Sequence, residues 1–104
     1  MKSDGTFTAK VRVCLDAAVM RGREGWRTGI RPNHRIPGRD DEMFVGMLTF
    51  SDREWLRPGE CTEANGRFMI MPIDEPLFVP GFSWELCEGP RVVGRAELLE
   101  RTDA

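Results

Sequence analysis

The chain lacks several patterns that identify membrane, secreted and nucleotide-hydrolysing proteins. No apolar stretch approaches the ~18 residues of a membrane-spanning helix. Residues 1–6 lack the apolar core of a secretory signal. No G-x-x-x-x-G-K-S/T loop is present to cradle phosphates, which excludes GTP hydrolysis. These absences predict a cytoplasmic protein that binds neither GTP nor a membrane.

Cysteine is also scarce, and its pattern argues against a disulfide framework. The three cysteines, Cys14, Cys61 and Cys87, are an odd number without a C-x-x-C pair. Such usage is typical of a reducing compartment. We therefore expect all three thiols to be free and to act as small buried hydrophobic residues.

The single histidine limits the chemistry that the chain can perform. No Cys, His and Asp cluster at metal-ligand spacing surrounds His34. A nucleophilic Cys–His pair would need a cysteine to meet His34 in space, and no known signature supports that arrangement. The sequence therefore predicts no enzyme activity, with no catalytic residues, no metal site and no cofactor.

Length and composition are those of one globular domain. The chain has 104 residues, of which 40% are hydrophobic and 31% charged. That length matches the usual size of a single core. We predict a flexible N-terminus at residues 1–6, one folded domain at 7–100 and a flexible tail at 101–104.

Short alternating segments predict an all-β protein. Residues 7–15 alternate strictly between apolar and polar, which places all the apolar side chains on one face of a strand. Apart from Gly46 and Thr49, residues 43–50 are apolar on both faces, which predicts a strand buried on both sides. Further strands are expected at 67–71, 82–86 and 91–99, although the last also has helix propensity. About six short strands without a long amphipathic helix favour an antiparallel barrel or sandwich.

Local signals predict two features between the strands. Ser51-Asp52-Arg53-Glu54 is typical of a helix capping box, which predicts one short helical turn. Pro58-Gly59 suits the central positions of a type II turn. The methionines within predicted strands are interpreted as gap-fillers of the core rather than as a binding surface: Met47, Met69 and Met71.

Charge is distributed unevenly along the chain although its net value is only −2. Residues 21–39 contain six arginines and one acid, and residues 40–63 contain seven acids and two arginines. The first span therefore predicts a local basic surface that the total conceals.

Five motifs, in order, resemble the C-terminal barrel domain of translation elongation factor Tu along nearly the whole chain. They are Glu24-Gly25-Trp26-Arg27-Thr28, Gly29-Ile30-Arg31-Pro32, Phe44-Val45-Gly46 with Pro58-Gly59-Glu60, Pro72-Ile73, and Glu88-Gly89-Pro90-Arg91-Val92-Val93-Gly94. The chain departs from the family at Pro90, where the family has a second glycine. The resemblance implies a single closed antiparallel barrel of about six strands.

The resemblance also implies a candidate RNA-binding site. In the family this barrel contacts the T-stem of aminoacyl-tRNA, and Arg31 matches a contact to the RNA backbone. Glu88 and Gly89 match the hairpin that touches the same stem. Arg27 and Arg35 would add diffuse attraction to phosphate. The alternative role for Arg31 is an ion pair with Asp40 or Glu42.

Two functions are therefore expected from the sequence. The first is a stand-alone, non-enzymatic module that binds tRNA or another structured RNA in a translation-related role. The alternative is a protein-interaction module without RNA binding. In the family the barrel packs against other domains, so a detached barrel would offer that surface to a protein partner or to a second copy of itself.

Overall fold

The computed structural model describes residues 4–103, which form eight strands and one 3-10 helix. The strands are β1 (Thr6–Leu15), β2 (Trp26–Arg27), β3 (Asn33–Arg35), β4 (Phe44–Phe50), β5 (Trp55–Leu56), β6 (Cys61–Met69), β7 (Ser83–Glu88) and β8 (Arg91–Arg101). The 3-10 helix is Pro72–Leu77. Among residues 4–103, no helical segment has the length and apolar character of a membrane span. The predicted flexible ends lie partly outside the described residues, at 1–3 and 104.

Six of the strands close into an antiparallel barrel in the order β1-β6-β4-β3-β7-β8. β8 pairs with β7 on one side and with β1 on the other, which closes the cylinder. β2 and β5 form a separate two-stranded sheet. The predicted all-β class and the closed six-stranded antiparallel barrel are confirmed, and the final segment is a strand rather than a helix.

Alternation along the strands separates the interior from the outer surface. In β1 the predicted alternation is confirmed, because every apolar side chain from residue 7 to 15 is buried. β6 alternates in the same way, with Thr62, Ala64, Gly66 and Phe68 inside and their neighbours outside. Burying one side of each strand is what holds the register, since a slip of one residue would expose the whole apolar set.

Aromatic rings fill one end of the interior. They belong to Phe7, Phe44, Phe68, Phe78, Phe82 and Trp84, and the imidazole of His34 lies among them. Neighbouring ring centroids are between 5.0 and 6.4 Å apart. Tilted and edge-to-face contacts predominate, which is the arrangement that ring quadrupoles favour.

Two inward-facing glycines make room for the ring of Phe68. A Cβ at Gly66 would lie 2.2 Å from Cζ of Phe68, and a Cβ at Gly46 would lie 2.4 Å from its Cδ1. Both distances are far below van der Waals contact. The ring therefore lies against the bare backbone of β4 and β6, and any side chain at either position would displace it.

We predict that Gly66→Ala lowers the free energy of unfolding by about 1–3 kcal/mol, the usual range for an overfilled core. The Phe68 ring must move, but its aromatic neighbours restrict that movement. Urea denaturation checks this, with Asn65→Ala on the outer side of the same strand as the control. Phe68→Leu should remove most of the effect of Gly66→Ala. Equal midpoints for Gly66→Ala and Asn65→Ala would contradict the prediction.

The prediction that all cysteines are free is wrong for two of them. Cys14 in β1 and Cys61 in β6 are directly opposite each other and form a disulfide, with a Cα–Cα distance of 4.1 Å. Cys87 is free and buried, as expected. Spacing along the chain could not show the pairing, because 47 positions separate the two cysteines and only the β1–β6 register brings them together.

The two local signals between the strands had different outcomes. Pro58-Gly59 forms the predicted turn: Gly59 has a φ of 86°, and the Glu60 amide donates to the Arg57 carbonyl at 3.0 Å. The capping box 51–54 is wrong, because those residues form no helix and lead directly into β5. Glu54 instead pairs with Arg27 on the neighbouring strand.

Candidate binding surface

Two of the predicted RNA-binding arginines lie in ion pairs with acids from distant parts of the chain. Arg27 in β2 pairs with Glu54, and both side chains remain exposed. Arg35 in β3 donates from Nε to Glu85 Oε1 on the adjacent β7 at 2.8 Å. That hydrogen bond and the negative charge of Glu85 raise the pKa of Arg35. Neither guanidinium is therefore unpaired.

The predicted hairpin acid, Glu88, is also occupied by contacts within the barrel. Arg23 donates from both terminal nitrogens to the two carboxylate oxygens, each at 2.9 Å. Trp26 Nε1 donates to Oε2, also at 2.9 Å. The Arg23 hydrogen bond is the main cause of the lowered pKa of Glu88. These contacts fasten the 21–25 loop to the β7–β8 hairpin.

Gly89 begins the turn of that hairpin. Its φ of 56° lies in the left-handed region that favours glycine, and Pro90 follows it. Its carbonyl accepts a hydrogen bond from Asn33 Nδ2 at 3.4 Å. Gly89 thus holds the hairpin against the start of β3.

Arg31 differs from the other predicted arginines because it is exposed and unpaired. Within residues 4–103 its guanidinium forms no hydrogen bond and no ion pair. The alternative partners predicted for it are wrong, since Glu42 contacts Arg39 instead and Asp40 forms no ion pair with Arg31. Arg31 precedes β3, and the bridge between Ile30 and Leu48 aligns this segment with β4.

The strand register builds an ordered outer surface beside Arg31. The Ile30–Leu48 bridge places Arg31 opposite Met47 of β4, and Met47 is directly opposite Arg67 of β6. Thr8 of β1 completes this first row beyond Arg67. The second row runs parallel to it and consists of Asn33, Val45, Met69 and Thr6. We call these eight residues the Arg31–Arg67 face.

A shallow depression with a volume of about 610 Å³ lies on this face. Val45 and Met69 are more than half exposed there. Arg67, like Arg31, forms no hydrogen bond or ion pair with any described residue. No aspartate or glutamate is among the residues that line the depression. The face therefore combines exposed apolar surface with two unpaired positive charges.

The sequence contained a signal for this face that we interpreted differently. Residues 43–50 were predicted to be buried on both sides, which is wrong: Met43 and Val45 are exposed on the outer side of the barrel. Met69 and Met71 are exposed too, so their interpretation as gap-fillers is also wrong. A strand that is apolar on both sides but covered on only one is a signal for a binding surface.

No protein-family model and no curated protein matches this chain. The resemblance to elongation factor Tu therefore stays a prediction. The residues of the Arg31–Arg67 face are assigned from the geometry of this barrel alone.

His34 and Cys87 lie inside the barrel and are not part of this outer face. Trp84 Nε1 donates to His34 Nδ1 at 3.0 Å, so the proton of the neutral ring is on Nε2, which donates to the Gly46 carbonyl at 3.0 Å. Burial lowers the pKa of His34 to about 4. Burial likewise raises the pKa of the Cys87 thiol. Within residues 4–103 no three His, Cys, Asp or Glu side chains are grouped as metal ligands.

Proposed function

We propose that this chain is a non-enzymatic binding module that docks onto a protein partner through the Arg31–Arg67 face. The observation that carries the proposal is an exposed apolar sheet surface bordered by two unpaired arginines. Contiguous apolar surface on a small domain marks interaction sites. Methionine and arginine are enriched in protein–protein interfaces, whereas lysine and acids are depleted.

The resemblance to elongation factor Tu supports an interaction module. In that family the C-terminal barrel packs against other domains, so a barrel of this kind would carry a surface suited to protein contact. The non-enzymatic role is supported by the state of the two side chains most suited to catalysis. His34 has both ring nitrogens in hydrogen bonds inside the barrel, and Cys87 is buried.

Docking through this face is tested with the double variant Val45→Asp/Met69→Asp. These residues are opposite each other on β4 and β6, and both side chains are exposed, so the fold should tolerate the change. Proteins captured by the wild type from a nuclease-treated lysate should be lost, with captured amounts at least ~10-fold lower because charge replaces apolar contact. Quantitative mass spectrometry measures this.

The matched control is Thr49→Asp/Asn65→Asp, an outward-facing pair on the same two strands. It adds the same charge away from the depression and should leave capture unchanged. Identical capture by the wild type and Val45→Asp/Met69→Asp would rule out docking through this face.

A second candidate function is binding of tRNA or another structured RNA in a translation-related role. The observation that favours it is the free guanidinium of Arg31, which offers a bidentate fork to phosphate. Arg67 on the same face would add a second phosphate contact. With Arg27, Arg35 and Glu88 already paired, few contacts are left, so binding would be weak and salt-dependent.

Filter binding with tRNA at low salt tests the RNA candidate. The candidate requires detectable binding that Arg31→Ala weakens and that falls as salt rises. An absence of binding, or equal binding by Arg31→Ala, would eliminate it.

The cytoplasmic location also stays a proposal. Its argument from reduced thiols does not apply to Cys14 and Cys61, which form a disulfide.

A further inference from the structure

We infer that the partner of the Arg31–Arg67 face is an acidic, apolar peptide segment. Its large apolar side chains would lie on Val45, Met47 and Met69, and its carboxylates would pair with the two arginines. The inference rests on the proposed docking function and adds the chemistry of the partner.

The two guanidinium groups flank a single apolar position. Arg31, Met47 and Arg67 occupy consecutive strands in one row, so the α-carbons of the arginines are about 10 Å apart, two strand spacings. The apolar second row, with Val45 and Met69, lies directly beside them. A matching ligand therefore carries apolar groups between and beside two negative charges.

Burial in an interface makes this charge requirement strict. An arginine that loses water without gaining an anionic partner destabilises the complex. The residues that line the depression include two arginines and no carboxylate, and Asp4 is hydrogen-bonded to Thr6 at the far end of the second row. The partner must therefore provide the carboxylates, which also gives charge complementarity and selects against basic segments.

The closed barrel restricts how such a segment can bind. Each of its six strands is paired on both sides, so among the described residues the barrel has no open edge that could accept an extra strand. The segment must be recognised by side chains on the outer face. We therefore expect the face to select strongly for acidic and apolar side chains in the segment. We expect it to select only weakly for the backbone conformation of the segment.

The inference is tested with a phage-displayed library of random 12-residue peptides selected on the full chain. Wild-type selection should enrich peptides that combine Asp or Glu with Leu, Met or Phe. Arg31→Glu/Arg67→Glu should bind these peptides at least ~10-fold more weakly and should itself select Lys and Arg in place of the acids. Because neither arginine is paired, the variant should keep the wild-type melting temperature.

Arg21→Glu/Arg95→Glu is the matched control, since it makes the same charge change at two exposed arginines that also form no ion pair with any described residue. It should bind the selected peptides as the wild type does. Fluorescence polarisation with synthetic copies of the selected peptides gives the dissociation constants. The affinity for acidic peptides should also fall as salt concentration rises.

The outcomes separate this inference from the docking function on which it rests. If Val45→Asp/Met69→Asp abolishes peptide binding but Arg31→Glu/Arg67→Glu does not, the face binds peptides and the acidic partner is wrong. If neither variant affects binding, docking through the face is wrong as well. Failure to enrich any peptide, binding of tRNA alone, or self-association through the face would also overturn the inference.

Discussion

Breaking the Cys14–Cys61 disulfide is expected to lower the free energy of unfolding by about 4 kcal/mol, the chain-entropy value for a loop of this length. The bond joins β1 to β6 across 47 positions of sequence, a span that includes β2 to β5. In the unfolded chain it removes many extended conformations, whereas in the barrel the two strands are paired in any case.

Urea denaturation with and without a phosphine reductant measures this difference. The variant Cys14→Ala/Cys61→Ala should match the reduced wild type, and the reductant should have no effect on it. Cys87→Ser is the control that leaves the disulfide intact, so its response to the reductant should equal that of the wild type.

A thiol count checks the covalent state independently of stability. The denatured, unreduced chain should titrate with one free thiol, that of Cys87, and the reduced chain with three. Three thiols before reduction, or a denaturation midpoint that does not respond to reductant, would contradict the prediction. A reducing cytoplasm would favour the free thiols of this pair in the cell, whereas an oxidising compartment would preserve the bond.

The second large effect is a loss of stability in mild acid that originates at His34. Its pKa in the folded chain is about 4, against 6.5 for an unperturbed histidine, mainly because the ring is buried. Between these values the unfolded chain binds a proton that the folded chain does not. The free energy of unfolding is therefore highest above about pH 6.5 and falls as the pH decreases. At pH 4 it is lower by about 3 kcal/mol.

The surroundings of His34 explain the direction of this shift. The rings of Phe44, Phe68 and Trp84 surround the imidazole, and its hydrogen-bond partners are the Trp84 indole and the Gly46 carbonyl. None of these groups is negatively charged. A second proton would place two N–H donors, those of Nδ1 and the Trp84 indole, against each other.

His34→Gln is the test variant because it keeps a donor and an acceptor but does not titrate. Between pH 6.5 and about pH 4.5 its stability should be nearly constant while that of the wild type falls. The pKa values of Asp52 and Glu88 are also lowered, from 3.8 and 4.5. Their ionised forms therefore stabilise the folded chain, and that contribution to the free energy of unfolding is lost only as the pH falls below about 4.5.

A second measurement does not depend on how the variant folds. Because the chain has a single histidine, NMR of its ring reports one titration without assignment. The ring should stay neutral, with its proton on Nε2, down to about pH 5. A midpoint near 6.5 in the folded protein would contradict both the burial of the ring and the predicted acid sensitivity.

The sequence predicted the parts of the barrel that depend on local pattern. Period-two alternation in residues 7–15 is enough to specify β1, because successive side chains of a strand point to opposite faces. The turn at Pro58-Gly59 is equally local, since it depends on the φ values that these two residues adopt. Whether the strands close as a barrel or pack as a sandwich was open from these patterns, because pairing β8 with β1 is a long-range event.

The candidate binding surface was predicted only at Arg31. Its partner in the row, Arg67, was missed because the register of β4 against β6 brings it there. Glu88 was predicted as an RNA contact, but its actual partners, Arg23 and Trp26, are more than 60 positions away. Pairing between charged side chains at such separations cannot be inferred from composition or spacing.

By itself, then, the sequence determined the strand periodicity, the principal turn and the all-β class, since each follows from backbone preferences and alternation within a few residues. Only the tertiary structure decided which side of β4 is covered, which arginines are neutralised and which cysteines meet. These features depend on strand register, which sets neighbours across the sheet regardless of their distance along the chain.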